Sequence, residues 1–163
     1  MTIKETLEKK DELLDKKITV SGWIRNHRPQ KEFGFIDFSD GTCFKHLQIV
    51  YDTSLDNFAE ISKLLVGCAL EVTGVLVKSS GNQDVEVKAS KITLLGECGE
   101  DYPIQPKRHT KEFLREQAYL RARTNMFQAV FKIRSLAAQA IHKYFADNGY
   151  VYVNTPIITA SDC

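Results

Sequence analysis

At 163 residues the chain can bury one real core and a further piece, but it is short for two complete domains. Hydrophobic residues at 43% and charged residues at 26% are ordinary for a globular protein, and no stretch nears the ~20 apolar residues that span a membrane. The formal net charge of +1 hides an asymmetry: residues 1–99 hold 13 Lys/Arg against 15 Asp/Glu, and residues 100–163 hold 9 against 6.

The first seventeen residues carry no apolar signal segment, so the protein is expected to stay where it is made, in the cytoplasm. Lys4–Leu14 reads as a short charged helix with Leu7, Leu13 and Leu14 as its apolar positions. From Lys17 the period becomes two, which predicts strands. Ile18–Arg25 is the first, followed by a basic loop from Asn26 to Glu32 that contains Pro29. Phe33–Phe38 is the second, Asp40-Gly41 a turn, and Cys43–Tyr51 the third. Asp56–Leu65 reads as an amphipathic helix through Phe58, Ile61 and Leu65. Ala69–Val77 and Val85–Leu95 are strands four and five, joined through Gly81-Asn82. Three strands, a helix and two strands in that order predict a mainly β protein, a five-stranded OB-fold barrel, the architecture that binds oligonucleotides across strands two and three.

After Gly96 the alternation stops. Pro103, Pro106 and the stripe Lys107, Arg108, Lys111, Arg115, Arg121 and Arg123 read as a basic hinge with a short helix near Glu112–Tyr119. Such a stripe suits a polyanion, and equally a solvated face. Thr124 is a candidate N-cap for a long helix to Asp147 that is apolar over most of its circumference; Asn148-Gly149 stops it. Tyr150–Asn154 is a strand and Pro156 follows. That strand has no partner in the chain, which reads as a domain cut short. The division is therefore residues 1–99 barrel, 100–123 hinge, 124–163 start of an α+β domain. Cys43, Cys68, Cys98 and Cys163 form no CxxC pair, which argues for reduced, mostly buried thiols and against a zinc or other metal site.

Strand parity sorts Ile18, Val20, Ile24, Ile36, Phe38, Leu47, Ile49, Val85 and Val87 inward. The opposite parity carries Trp23, Arg25, Phe33, Phe35, His46, Gln48, Glu86 and Lys88, a mixture of rings, hydrogen-bonding groups and cations that recognises unstacked bases. On parity alone Trp23 and Phe33 also fit lids on the barrel, and Gln48, Glu86 and His46 fit plain surface groups.

Five stretches resemble class II aminoacyl-tRNA synthetases of the aspartate, asparagine and lysine subgroup, and within it the asparaginyl branch. They are VSGWIRNHR (Val20–Arg28), FGFIDFSDGTCFKHLQIVY (Phe33–Tyr51), VTGVLV (Val72–Val77), YPIQPKRHTKEFLREQAYLRARTN (Tyr102–Asn125) and GYVYVNTPIITASDC (Gly149–Cys163). The resemblance implies that the barrel binds the tRNA anticodon loop, its central uridine stacked on Phe35 and read by Gln48 and Glu86. Arg25 and Arg28 then lie near the anticodon backbone with Trp23 and Phe33 beside them, and Lys107, Arg108 and Arg115 are the hinge cations for tRNA. The long helix and following strand resemble motif 1, implying a homodimer interface that includes Phe131, Tyr144, Val153 and Pro156. Motifs 2 and 3 are not present, so ATP and Mg are implied for the whole ligase, while this chain is expected to bind neither, to hold no catalytic residue and to be inert alone. An aspartyl-type enzyme with relaxed tRNA choice, or a stand-alone tRNA or single-strand-binding OB module, are the competing readings.

Overall fold

The computed structural model describes residues 1–158; Cys163 and the end of the TPIITASDC stretch lie outside them. Five strands close a barrel in the order β1-β2-β3-β5-β4: β1 Lys17–Pro29, β2 Phe33–Ser39, β3 Leu47–Asp52, β4 Ala69–Lys78 and β5 Val85–Gly96. β1 is long enough to serve two neighbours. Its first half pairs with β4, its second half with β2, and the parallel pairing of β3 with β5 closes the ring. All nine residues assigned inward by parity are buried. Tyr51, Leu70, Val72 and Leu76 complete the filling, and Ile3 from the first helix is fully buried in the same cluster. Gly34 on β2 is required by this packing: a Cβ there would run into the Tyr51 ring.

Several predicted boundaries move. Asn26–Pro29 belongs to β1 rather than to a loop, because its backbone pairs with Asp37–Gly34 of β2. The third strand starts at Leu47, not Cys43, because Asp40 caps the preceding turn by accepting from the Thr42 amide and hydroxyl. The N-terminal helix is two pieces, α1 Ile3–Glu8 and α2 Lys10–Leu13, with Ile3 and Thr6 buried and Leu14 exposed. A reciprocal capping box between Thr2 and Glu5 starts α1. The amphipathic helix shrinks to α3 Phe58–Ile61, and Leu65 is exposed. Of the three described cysteines only Cys68 is buried.

Beyond the barrel, α4 (Lys111–Glu116) and a short 3-10 turn at Arg121–Arg123 build a second small core of Tyr102, Ile104 and Leu114. Val66 and Cys98 pack against both cores, so the hinge is docked on the barrel wall. The long helix α5 runs Asn125–Asp147, and Gly149 at φ 82° ends it. Thr124 precedes it without a side-chain cap, since its hydroxyl donates to the Arg121 carbonyl instead. Tyr150–Asn154 forms no strand, in keeping with the lack of any edge to pair with among the described residues. No helix among the described residues is long and apolar enough to cross a membrane.

Candidate nucleic-acid interface

One irregularity decides which side chains share the outer face of the barrel. The β1–β2 register slips by one residue between Ile24 and Asn26, so Arg25 is a bulge. Past the bulge, Asn26 and Arg28 face outward. The pairings then run straight across four strands: Asn26 beside Asp37, Asp37 beside Gln48, Gln48 beside Glu86. Two residues along lies a second row, Arg28, Phe35, Val50 and Lys88. Neighbouring strands sit ~4.8 Å apart and the rows ~7 Å apart, so a polar row lies against a row of one aromatic ring between cations.

The polar row is internally bonded. Gln48 Nε2 donates to Glu86 Oε2 at 2.8 Å, and the Ser79 hydroxyl donates to the same oxygen at 2.8 Å. Ser79 Oγ is held in turn by the Gly81 amide at 3.1 Å. Glu86 thereby fixes which end of the Gln48 amide is offered outward: Nε2 is committed, and Oε1 makes no hydrogen bond among the described residues. His46 Nδ1 lies 2.9 Å from Asp37 Oδ2 and donates to it. In the second row the Arg28 guanidinium lies over the Phe35 ring at 5.5 Å, and Phe33 meets Phe35 edge-on at 5.4 Å.

Phe33, Phe35, Arg28, Gln48 and Glu86 are thus brought together, and Trp23 and Arg25 are not with them. Trp23 lies under the Arg123 guanidinium at 5.0 Å, as a platform for the hinge. Arg25 leaves the sheet at the bulge and half-buries itself in a groove beside Lys107 and Arg108. Burial pushes its pKa down and nearby Arg123 adds to that, while Tyr102 and Asp37 act in the opposite sense. The basic stripe is likewise divided. Lys107, Arg108 and Arg115 are exposed, whereas Arg121 turns inward over Phe127 (4.9 Å) and Phe131 (5.5 Å). Phe131 is therefore engaged with the hinge, while Tyr144, Val153 and Pro156 are exposed. Thirteen residues at 100° each put Phe131 and Tyr144 on different sides of α5.

Sequence reasoning missed Asn26, Asp37 and Ser79. Parity alone places Asp37 outward between Ile36 and Phe38, so it was findable; Asn26 needs the bulge, and Ser79 sits in a turn with no periodic signal. Behind the face, His27 Nδ1 donates to the Leu64 carbonyl at 2.8 Å, leaving Nε2 to accept from the buried Tyr51 hydroxyl at 2.7 Å. Burial lowers the His27 pKa, opposed by the bond to Leu64.

The arrangement matches known proteins in both segments. Residues 18–95 match the OB-fold nucleic acid binding domain, and residues 110–163 match the class II tRNA synthetases (D, K and N). The asparagine–tRNA ligase of Clostridium tetani is 52% identical over the whole chain, and that of Acholeplasma laidlawii 54% identical over 89% of it. The chain is thus similar in its second segment to the class II tRNA synthetases of the D, K and N group, and along its length to asparagine–tRNA ligases. It spans 35% of the length of the Clostridium tetani relative and 32% of the Acholeplasma laidlawii one. In fold it resembles the asparaginyl-tRNA synthetase of Pyrococcus horikoshii solved with asparaginyl-adenylate, at a TM-score of 0.82 and 22% identity, over 96% of this chain and 36% of that one. The closed barrel coincides with the first match, and α4, the 3-10 turn and α5 fall within the second.

Proposed function

We propose that this chain is the anticodon-reading portion of an asparagine–tRNA ligase. The observation that carries the reading is the Gln48–Glu86 pair beside Phe35. A base stacked on Phe35 meets Gln48 Oε1 as an acceptor. Uracil offers an imide N–H there, while cytosine offers its unprotonated ring nitrogen and is repelled. Between the two pyrimidines, that selects uridine, the central base of an asparagine anticodon. Arg28 and Lys88 flank the ring row and supply sequence-independent attraction for phosphate, as do Lys107, Arg108 and Arg115 on the hinge.

The division into barrel 1–99, hinge 100–123 and catalytic start 124–163 belongs to this reading. So do a cytoplasmic location and a homodimer whose contact includes Tyr144, Val153 and Pro156. The whole enzyme would activate asparagine with ATP and magnesium and attach it to tRNA(Asn) in protein synthesis. Among the described residues no group of three or more His, Cys, Asp or Glu could hold a metal ion, and no step of that reaction is assigned to them.

The test is binding of anticodon stem-loops that differ only at the central base. Uridine should bind best, by roughly tenfold over cytidine. Equal affinity for all four would favour a sequence-tolerant single-strand binder instead.

A further inference from the structure

Two features at the hinge edge of the polar row are not used by the central base. Asp37 is bonded through Oδ2 to His46, and its Oδ1 makes no hydrogen bond among the described residues. Its strand neighbour Arg25 is half-buried with no carboxylate within 4.0 Å and no hydrogen bond among those residues. Its guanidinium nitrogens keep access to solvent and are free to take an incoming anion through charge-assisted hydrogen bonds. Both side chains line one groove of about 650 Å³ between barrel and hinge, whose far wall carries Lys107, Arg108 and His109. The groove begins one strand away from Gln48, about the reach from one nucleotide to the next.

We infer that Asp37, oriented by His46, reads a second base, the anticodon nucleotide adjoining the central one, with the linking phosphate held by Arg25. This rests on the reading of the barrel face given above. The chemistry is that of an imide donor. Guanine and uracil present a ring N–H that a carboxylate oxygen accepts. Adenine and cytosine present an unprotonated ring nitrogen in the same place, and two acceptors repel. His46 matters because its Nδ1–H occupies Oδ2 and leaves Oδ1 free to accept.

The experiment uses the 163-residue chain and fluorescent anticodon stem-loops with the central uridine fixed. The 5′ neighbour is varied through all four bases in one series, the 3′ neighbour in a second. At one of the two positions the unmodified protein should bind guanosine and uridine loops about tenfold tighter than adenosine and cytidine loops. Asp37→Asn, nearly isosteric, should bring the four within about twofold, because an amide can donate as well as accept. His46→Ala should weaken the preference in the same direction. Both variants should keep their preference for the central uridine and their melting temperature, which separates base reading from a structural part in the β2–β3 loop. Equal binding of all four bases at both neighbouring positions overturns the inference, as does undiminished preference in Asp37→Asn. If the central base is not discriminated either, the anticodon reading itself falls, and the failure lies there rather than with Asp37.

Discussion

Removing the Phe35 ring tests the stacking claim directly. Phe35 is half-buried, outside the barrel core, and touches Phe33 edge-on at 5.4 Å with Arg28 over its face at 5.5 Å. Phe35→Ala therefore forfeits one aromatic pair, worth ~0.5–1.5 kcal/mol of fold stability, and leaves the barrel folded. For an RNA ligand the larger loss is the π face: ~1–3 kcal/mol per stacked base, or roughly 5- to 150-fold in Kd. Phe35→Leu separates stacking from simple burial, since leucine restores apolar area without a ring. Anisotropy titrations of a labelled anticodon stem-loop at fixed salt should rank the proteins wild type, then Leu, then Ala, with Leu nearer Ala. The slope of log K against log salt should be unchanged, because no cation has moved. If Phe35→Leu binds as tightly as wild type, the ring is not a platform and the reasoning is wrong.

Four further outcomes are expected. Lys107→Ala with Arg108→Ala should weaken binding of all stem-loops alike and flatten the salt slope by about 1.4, at ~0.7 per phosphate contact; an unchanged slope would remove the hinge from the interface. Gly34→Ala should destabilise the barrel by ~1–3 kcal/mol, read as a lower melting temperature, because the new methyl meets the Tyr51 ring; an unaltered melt would refute that packing. His27 is held neutral, with its folded pKa below the unfolded value near 6.5, so its contribution is complete above that pH and fades as pH falls through the folded value. Melting temperature should thus drop below about pH 6.5, and drop less steeply in His27→Gln; parallel slopes would exclude His27 as the cause. Helix α5 exposes Ile133 (67%) and Tyr144 (64%), eleven residues apart and so on one side, and sedimentation should show association that Ile133→Glu with Tyr144→Glu abolishes. A concentration-independent monomer before mutation would count against a dimer through this helix.

The barrel was legible because its signal is redundant. Period-two alternation put nine residues inward and all nine are buried, since a slip of one residue would have turned every one of them to solvent. The same parity found Phe35, Gln48 and Glu86 as one outward set. What it could not supply was the bulge. Nothing in the run Trp23 to Arg28 marks where an extra residue enters, so Asn26 was read as loop and Arg25 as a member of the face. The helix Phe58–Ile61 was overextended because Leu65 fits the period while the chain there is already turning toward β4. The strand after Gly149 failed for a different reason. Alternation proposes a strand, but only a neighbour makes one, and neighbours are not written in the segment itself.

The bulge also links barrel and hinge. On a regular β1, Arg25 would stand in the row now held by Asn26, and the hinge groove would lack its half-buried cation. One inserted residue moves the guanidinium off the sheet edge, toward Tyr102 and Arg123 of the hinge, and restores outward parity to Arg28 beside Phe35. Trp23, two residues before the bulge, completes the junction by stacking under Arg123, whose guanidinium also donates to the Tyr102 hydroxyl at 3.2 Å. A single backbone irregularity thus assigns neighbouring residues of one strand to two surfaces that an anticodon loop would touch together. Because Trp23, Arg123 and Tyr102 brace the junction, the groove and the polar row keep a fixed spacing, the condition that the proposed reading of two adjacent bases on one scaffold requires.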